Sequence, residues 1–88
     1  MITAKERITR TLTEAFSPAS LEVVDESHLH KGHAGARPGG ETHFRVRIAS
    51  PAFVGKSRLE MHRAINGALA EELSPGRVHA LAIEARAA

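Results

Sequence analysis

Residues 42–48 alternate strictly, with Phe44, Val46 and Ile48 on one parity and His43, Arg45 and Arg47 on the other. A period of two predicts a strand with one buried and one polar face. Residues 21–25, LEVVD, are short and β-branched and predict a strand before it. Residues 78–85 predict a third, with His79, Leu81 and Ile83 on one face. Two further segments carry the helical period. Thr3-Ala4-Lys5-Glu6 forms a capping box, and Ile8, Leu12, Ala15 and Phe16 follow at helical spacing. Ser17-Pro18 stops that helix at 4–16, because the residue before proline avoids the α region. After Ser57, which caps the second helix, Leu59, His62, Ile65, Asn66, Leu69 and Leu73 recur at steps of three and four, until Ser74-Pro75-Gly76 closes the run. Gly67 lies inside this helix at a cost of about 1 kcal/mol against Ala, and close approach of a neighbouring element is the expected reason. Ser50-Pro51 breaks the second strand, and Phe53 is expected to tuck a short turn onto the core.

The element order α-β-β-α-β predicts an α+β fold: a two-layer sandwich in which both helices cover one face of a three-stranded mixed sheet. Strands 1 and 2 pair as an antiparallel hairpin with an oversized loop. Strand 2, the second helix and strand 3 form a crossover unit with parallel strands. The 88 residues make one domain, 1–88. With no Trp, no Tyr and three Phe, its core is aliphatic.

The oversized loop holds most of the chemistry. Residues 25–44 carry His28, His30, His33 and His43, four of the six histidines, and the turn-forming run Arg37-Pro38-Gly39-Gly40. A loop longer than about 12 residues inside a small domain is usually functional or disordered. The topology makes a geometric prediction. The loop enters strand 2 at its N-terminal end, and strand 3 runs parallel to strand 2. His79, near the start of strand 3, then lies at the same end of the sheet as the loop histidines. Imidazoles gathered in this way can hold zinc, copper or iron. The spacing His28-x-His30-x-x-His33 is not a specific motif, and a solvated loop or a zinc- or nickel-buffering loop fits it as well. Cysteine is absent, which excludes disulfides, thiolate nucleophiles and all-Cys metal sites.

The net charge is +2, but residues 44–63 hold five basic side chains (Arg45, Arg47, Lys56, Arg58, Arg63) against one acid, Glu60. Such a patch can attract nucleic acid, and it is also what a solvated surface looks like. Gly55-Lys56-Ser57 resembles the end of a phosphate-binding P-loop. The first glycine of that motif is missing, Ser50 standing in its place, and the chain is too short for a doubly wound nucleotide-binding sheet. No zincin motif or nucleophilic triad can be assembled, so no enzymatic activity is expected. The N-terminal segment MITAKERITR has no apolar core of a signal peptide, and no apolar run reaches the ~20 residues of a membrane helix, so a cytoplasmic address is expected.

Several stretches together resemble the BolA family: LEVVDES at 21–27, Glu41-Thr42-His43-Phe44, Phe53 and Gly55, His62-Arg63, Ala70-Glu71-Glu72-Leu73, and HALAI at 79–83. The resemblance covers nearly the whole chain in the family's order. It implies a KH-like (class II) topology and two roles. The first is partnership with a cytosolic monothiol glutaredoxin, in iron–sulfur cluster trafficking and regulation of iron homeostasis. In such a heterodimer a [2Fe–2S] cluster is bridged, with thiolates from the glutaredoxin cysteine and glutathione. The BolA-like protein supplies the strand-3 histidine, here His79, and a ligand from the hairpin loop. The loop ligand corresponds most simply to His30, with His33 a competitor because this loop is longer. The second implied role is transcriptional regulation through DNA, carried by the turn and helix after strand 2 through Gly55, Lys56, Arg58 and Arg63. Met61 stands where family members often have arginine, and the KH-type GxxG loop is absent. His62, on the apolar stripe, is expected to pack rather than bind.

Overall fold

A computed structural model describes residues 3–26, 43–73, 78 and 80–88. Its first element is helix α1, Ala4–Phe16. Thr3 Oγ1 accepts the Glu6 N–H at 3.2 Å, which fixes the start. At the other end Ser17 turns into the left-handed region (φ 42°) and donates its N–H to the Thr13 carbonyl, so the chain leaves the helix just ahead of Pro18. Ala4, Ile8 and Leu12 form the buried stripe of this helix.

Strands β1 (Ser20–Asp25), β2 (His43–Ser50) and β3 (Ala80–Ala87) form one sheet in the order β1-β2-β3. β1 pairs antiparallel with β2, and β3 parallel with it. The fold class expected from the sequence is therefore present. Register brings Val23, Val46 and Ile83 into one row and Leu21, Ile48 and Ala85 into another. These rows share the parity of Phe44 and face the helices. The core combines them with Ile8, Leu12, Phe53, Ile65, Leu69 and Val78. The opposite parity carries Glu22, Arg45, Arg47 and Glu84. β2, paired on both sides, is the most buried strand.

Helix α2 spans Arg58–Ala68 and begins in a full capping box: Ser57 accepts from the Glu60 N–H, and Glu60 accepts from the Ser57 N–H. It ends earlier than the periodicity implied. Beyond Ala68 the chain continues as turns, and Leu69 and Leu73 still hydrogen-bond four residues back. The apolar spacing therefore persists where the regular helix does not. Ile65 and Leu69 carry the buried stripe, with Met61 and His62 half-buried before them, whereas Leu59 is 58% exposed. Leu59 precedes Ile65 by six residues, which turns it roughly 120° away around the helix. Gly67 is not a site of close approach, since a Cβ there would meet nothing within 4 Å.

Three strand limits also move. β2 runs through Ala49 and Ser50, and β3 begins and ends two residues later than expected because Ser50 supplies a partner for Ala87. The turns that follow α2 are tied to α1 by Arg7, whose Nε donates to both carboxylate oxygens of the buried Glu72 at 2.9 and 2.8 Å. Among the described residues no helix is long and apolar enough to cross a membrane.

Candidate functional site

Two ends of β2 carry the candidate chemistry. At its N-terminal end, His43 lies opposite Ala80 of β3, and the Glu26 N–H donates to the His43 carbonyl at 2.8 Å. Both anchor points of the long loop and the first residue of β3 therefore share one end of the sheet. Val78, just before β3, donates its N–H to the Glu72 carbonyl and is itself buried. The predicted ligands His30, His33 and His79 lie outside the described residues, as do His28 and the turn run at 37–40. His43 has the parity of Arg45 and Arg47, as expected. It is nevertheless only 7% exposed, so it is enclosed rather than solvated.

The other end of β2 is built to project cations. Ser50 is fully buried; its hydroxyl donates to the Phe16 carbonyl at 2.7 Å and accepts the Ala52 N–H at 3.0 Å. It thereby caps a short 3-10 turn, Pro51–Phe53. Phe53 is driven into the core, its ring centroid 5.0 Å from that of Phe16. Gly55 follows with φ +80°, a conformation that favours glycine, and the Lys56 N–H returns to the Phe53 carbonyl. The turn therefore reverses sharply into the cap of α2. Lys56, Arg58 and Arg63 stand exposed beside it, and none makes an ion pair within 4 Å among the described residues. Hydrogen bonds from the Ser57 backbone and hydroxyl hold the Glu60 carboxyl below its usual range, with Lys56 assisting. His62, expected to pack, is half-buried. With Arg58 and Met61 it lines an open groove of about 650 Å³ that also includes Leu21, Ile48 and Ile83.

Arg45 and Arg47, the remaining members of the basic cluster, are neutralised. Arg45 donates to Glu26 (3.0 Å) and Glu84 (2.9 Å), and Arg47 reaches Glu22 (2.8 Å) and Glu84 (3.3 Å). The hydrogen bond from Arg45 is the main reason the Glu84 carboxyl lies below its ordinary range, and the bonds to Glu26 and Glu84 raise the Arg45 guanidinium in return. The three acids were not singled out in the sequence. The signal was available: once register is known, Glu22 and Glu84 fall on the parity of Arg47 in the two neighbouring strands.

The fold defines a small α+β domain with one face of the sheet covered by helices. The model of the family described as BolA-like protein matches residues 12–88. Human BolA-like protein 1 is 56% identical over 75 residues, which cover 85% of this chain and 51% of the relative. The Escherichia coli DNA-binding transcriptional regulator BolA is 49% identical over 79 residues, 90% of this chain and 70% of that protein. The BolA domain of SufE1 from Arabidopsis thaliana superposes with a TM-score of 0.85 at 42% identity, covering 99% of this chain and 94% of that one. The chain thus belongs to the BolA family, and it spans about half the length of the human relative.

Proposed function

We propose that the protein is a non-enzymatic, cytoplasmic partner of a monothiol glutaredoxin. Together they share a bridged [2Fe–2S] cluster in iron–sulfur trafficking and iron regulation. The supporting observation is the pairing of His43 with Ala80, which sets both anchors of the histidine-bearing loop beside the start of β3. His79 precedes that strand directly, and His30 or His33 is the loop ligand of this reading. The donor chemistry fits. The chain has no cysteine, so its contribution is imidazole, and thiolates come from the partner and glutathione. Two imidazoles in place of two thiolates raise a cluster's potential. The domain's own part is to hold the ligands at one rim and to present a surface to the glutaredoxin.

Co-expression with a monothiol glutaredoxin tests this. A coloured heterodimer is expected, and His79→Ala should alter its visible spectrum or shorten its lifetime. Failure of the wild-type pair to form any complex overturns the reading. Uptake of Zn²⁺ by the chain alone, without a coloured complex, would favour a metal-buffering loop instead.

A second reading, DNA binding, is favoured by Lys56, Arg58 and Arg63 around the α2 cap, which make no ion pair among the described residues, and by the similarity to the Escherichia coli DNA-binding transcriptional regulator BolA. Phosphate contacts by these side chains would make binding strongly salt-dependent.

A further inference from the structure

We propose that the outer edge of β3 is a self-association surface, through which two copies join antiparallel into one six-stranded sheet. β3 is an edge strand of eight residues. The Ala88 N–H donates to the Ser50 carbonyl, so the even-numbered residues of this strand direct their backbone groups toward β2. Period two then directs the N–H and C=O groups of Leu81, Ile83, Ala85 and Ala87 away from the sheet. Among the described residues no strand takes them up. Natural edges are usually blunted by proline, lysine, a bulge or a cover. This strand, ALAIEARA, has no proline and no lysine, and its pairing with β2 runs without interruption from Ala80 to Ala87.

Charge selects both the occupant and the register. Across the outer face the row Glu22–Arg47–Glu84 alternates in sign from β1 to β3. The next position outward calls for a cation at the height of Glu84. Arg86 is exposed on the same face and makes no ion pair among the described residues. A two-fold axis at Ala85 sets Ala85 against Ala85, Ile83 against Ala87, and Glu84 of each copy against Arg86 of the other. The row then reads minus, plus, minus, plus, and its mirror row follows from the symmetry. Shifting the axis to Glu84 opposes two carboxylates, and shifting it to Ile83 leaves Arg86 opposite Ala80. Only the Ala85 register pairs opposite charges twice, and cross-strand pairs of opposite charge stabilise a sheet. The other edge offers no such match. In an antiparallel self-pairing of β1, Glu22 meets Val24 when the axis lies at Val23, or meets itself when the axis lies at Glu22. An interface of this kind is isologous and closes at two copies.

Sedimentation equilibrium over a wide concentration range, at low salt, tests the proposal. A monomer–dimer equilibrium is expected. Ala85→Pro removes an outward N–H without touching the ladder to β2, so the variant should fold, with unchanged circular dichroism, and sediment as a monomer. Arg86→Glu should weaken the dimer about tenfold, since it sets like charges opposite each other at two places. Isotope-filtered nuclear Overhauser contacts between Ile83 of one copy and Ala87 of the other should mark the register. A monomer at every concentration overturns the proposal and leaves the edge to an extended segment of another protein. A dimer indifferent to Ala85→Pro overturns it as well. A dimer lost with Ala85→Pro but indifferent to Arg86→Glu refutes the register.

Discussion

The basic residues between 44 and 63 fall into two groups that differ in what surrounds them. Arg45 and Arg47 stand on the outer face of the sheet, each between acids that strand register brings into reach. Their charge is consumed within the molecule. Lys56, Arg58 and Arg63 stand on a tight turn and the first turns of a helix, and among the described residues none of them makes an ion pair within 4 Å. The Glu60 carboxylate beside them is engaged with the Ser57 N–H as part of the helix cap. Local charge density in a sequence is thus a poor guide to available charge. Two of five cations are held in ion pairs, and the other three stand exposed on the turn and the first turns of α2.

The comparison can be broken most severely at its support. Phe53→Ala removes the anchor of the turn that displays the free cations and should cost about 3–5 kcal/mol, read by urea unfolding; a loss below about 1 kcal/mol would mean the turn is not held by that ring. Next in size is the effect on binding. Lys56→Ala, Arg58→Ala and Arg63→Ala together should lower the salt slope of duplex-DNA binding by up to about 2.7, at about 0.9 per phosphate contact, with circular dichroism unchanged. Arg45→Ala with Arg47→Ala should leave that slope where it was, and equal slopes for the two multiple variants would dissolve the distinction drawn here. Ser57→Ala should cost roughly 1 kcal/mol in thermal unfolding by removing the cap of α2. Gly67→Ala should stabilise by up to about 1 kcal/mol, because the added methyl meets open space and the helix gains propensity. Acid should act most gently. Glu60 and Glu84 have carboxyls depressed in the folded state, so their contribution is present above the unfolded carboxylate range and is lost as pH falls through the folded values. Melting temperature should therefore drop below about pH 4, and less so in a Glu84→Gln variant.

How much of this could be read from residues alone follows the strength of each local signal. α1 was legible to the residue because Thr3 caps its start, through the Glu6 N–H alone, and Ser17-Pro18 closes it. The strict alternation around Phe44, Val46 and Ile48 located β2 and its two faces. β3 was misplaced by two positions because alanine fills half of it and marks neither face. The end of α2 was overrun for a related reason: Leu69 and Leu73 keep helical spacing through turns that are no longer a regular helix. Leu59 was assigned to the wrong side because steps of three and four accommodate more than one stripe. At the candidate sites, the turn with Gly55 and Ser57 was readable from their backbone preferences. The sorting of the arginines was not, because it depends on which acids two other strands bring alongside, and that is decided by register.

β2 runs from one proposed site to the other. His43 and Ser50 are its ends, roughly 23 Å apart at about 3.3 Å per residue. On the proposed readings, a glutaredoxin would approach the end beside His43 and a duplex the end beside Ser50, so the two visitors would meet opposite ends of one strand.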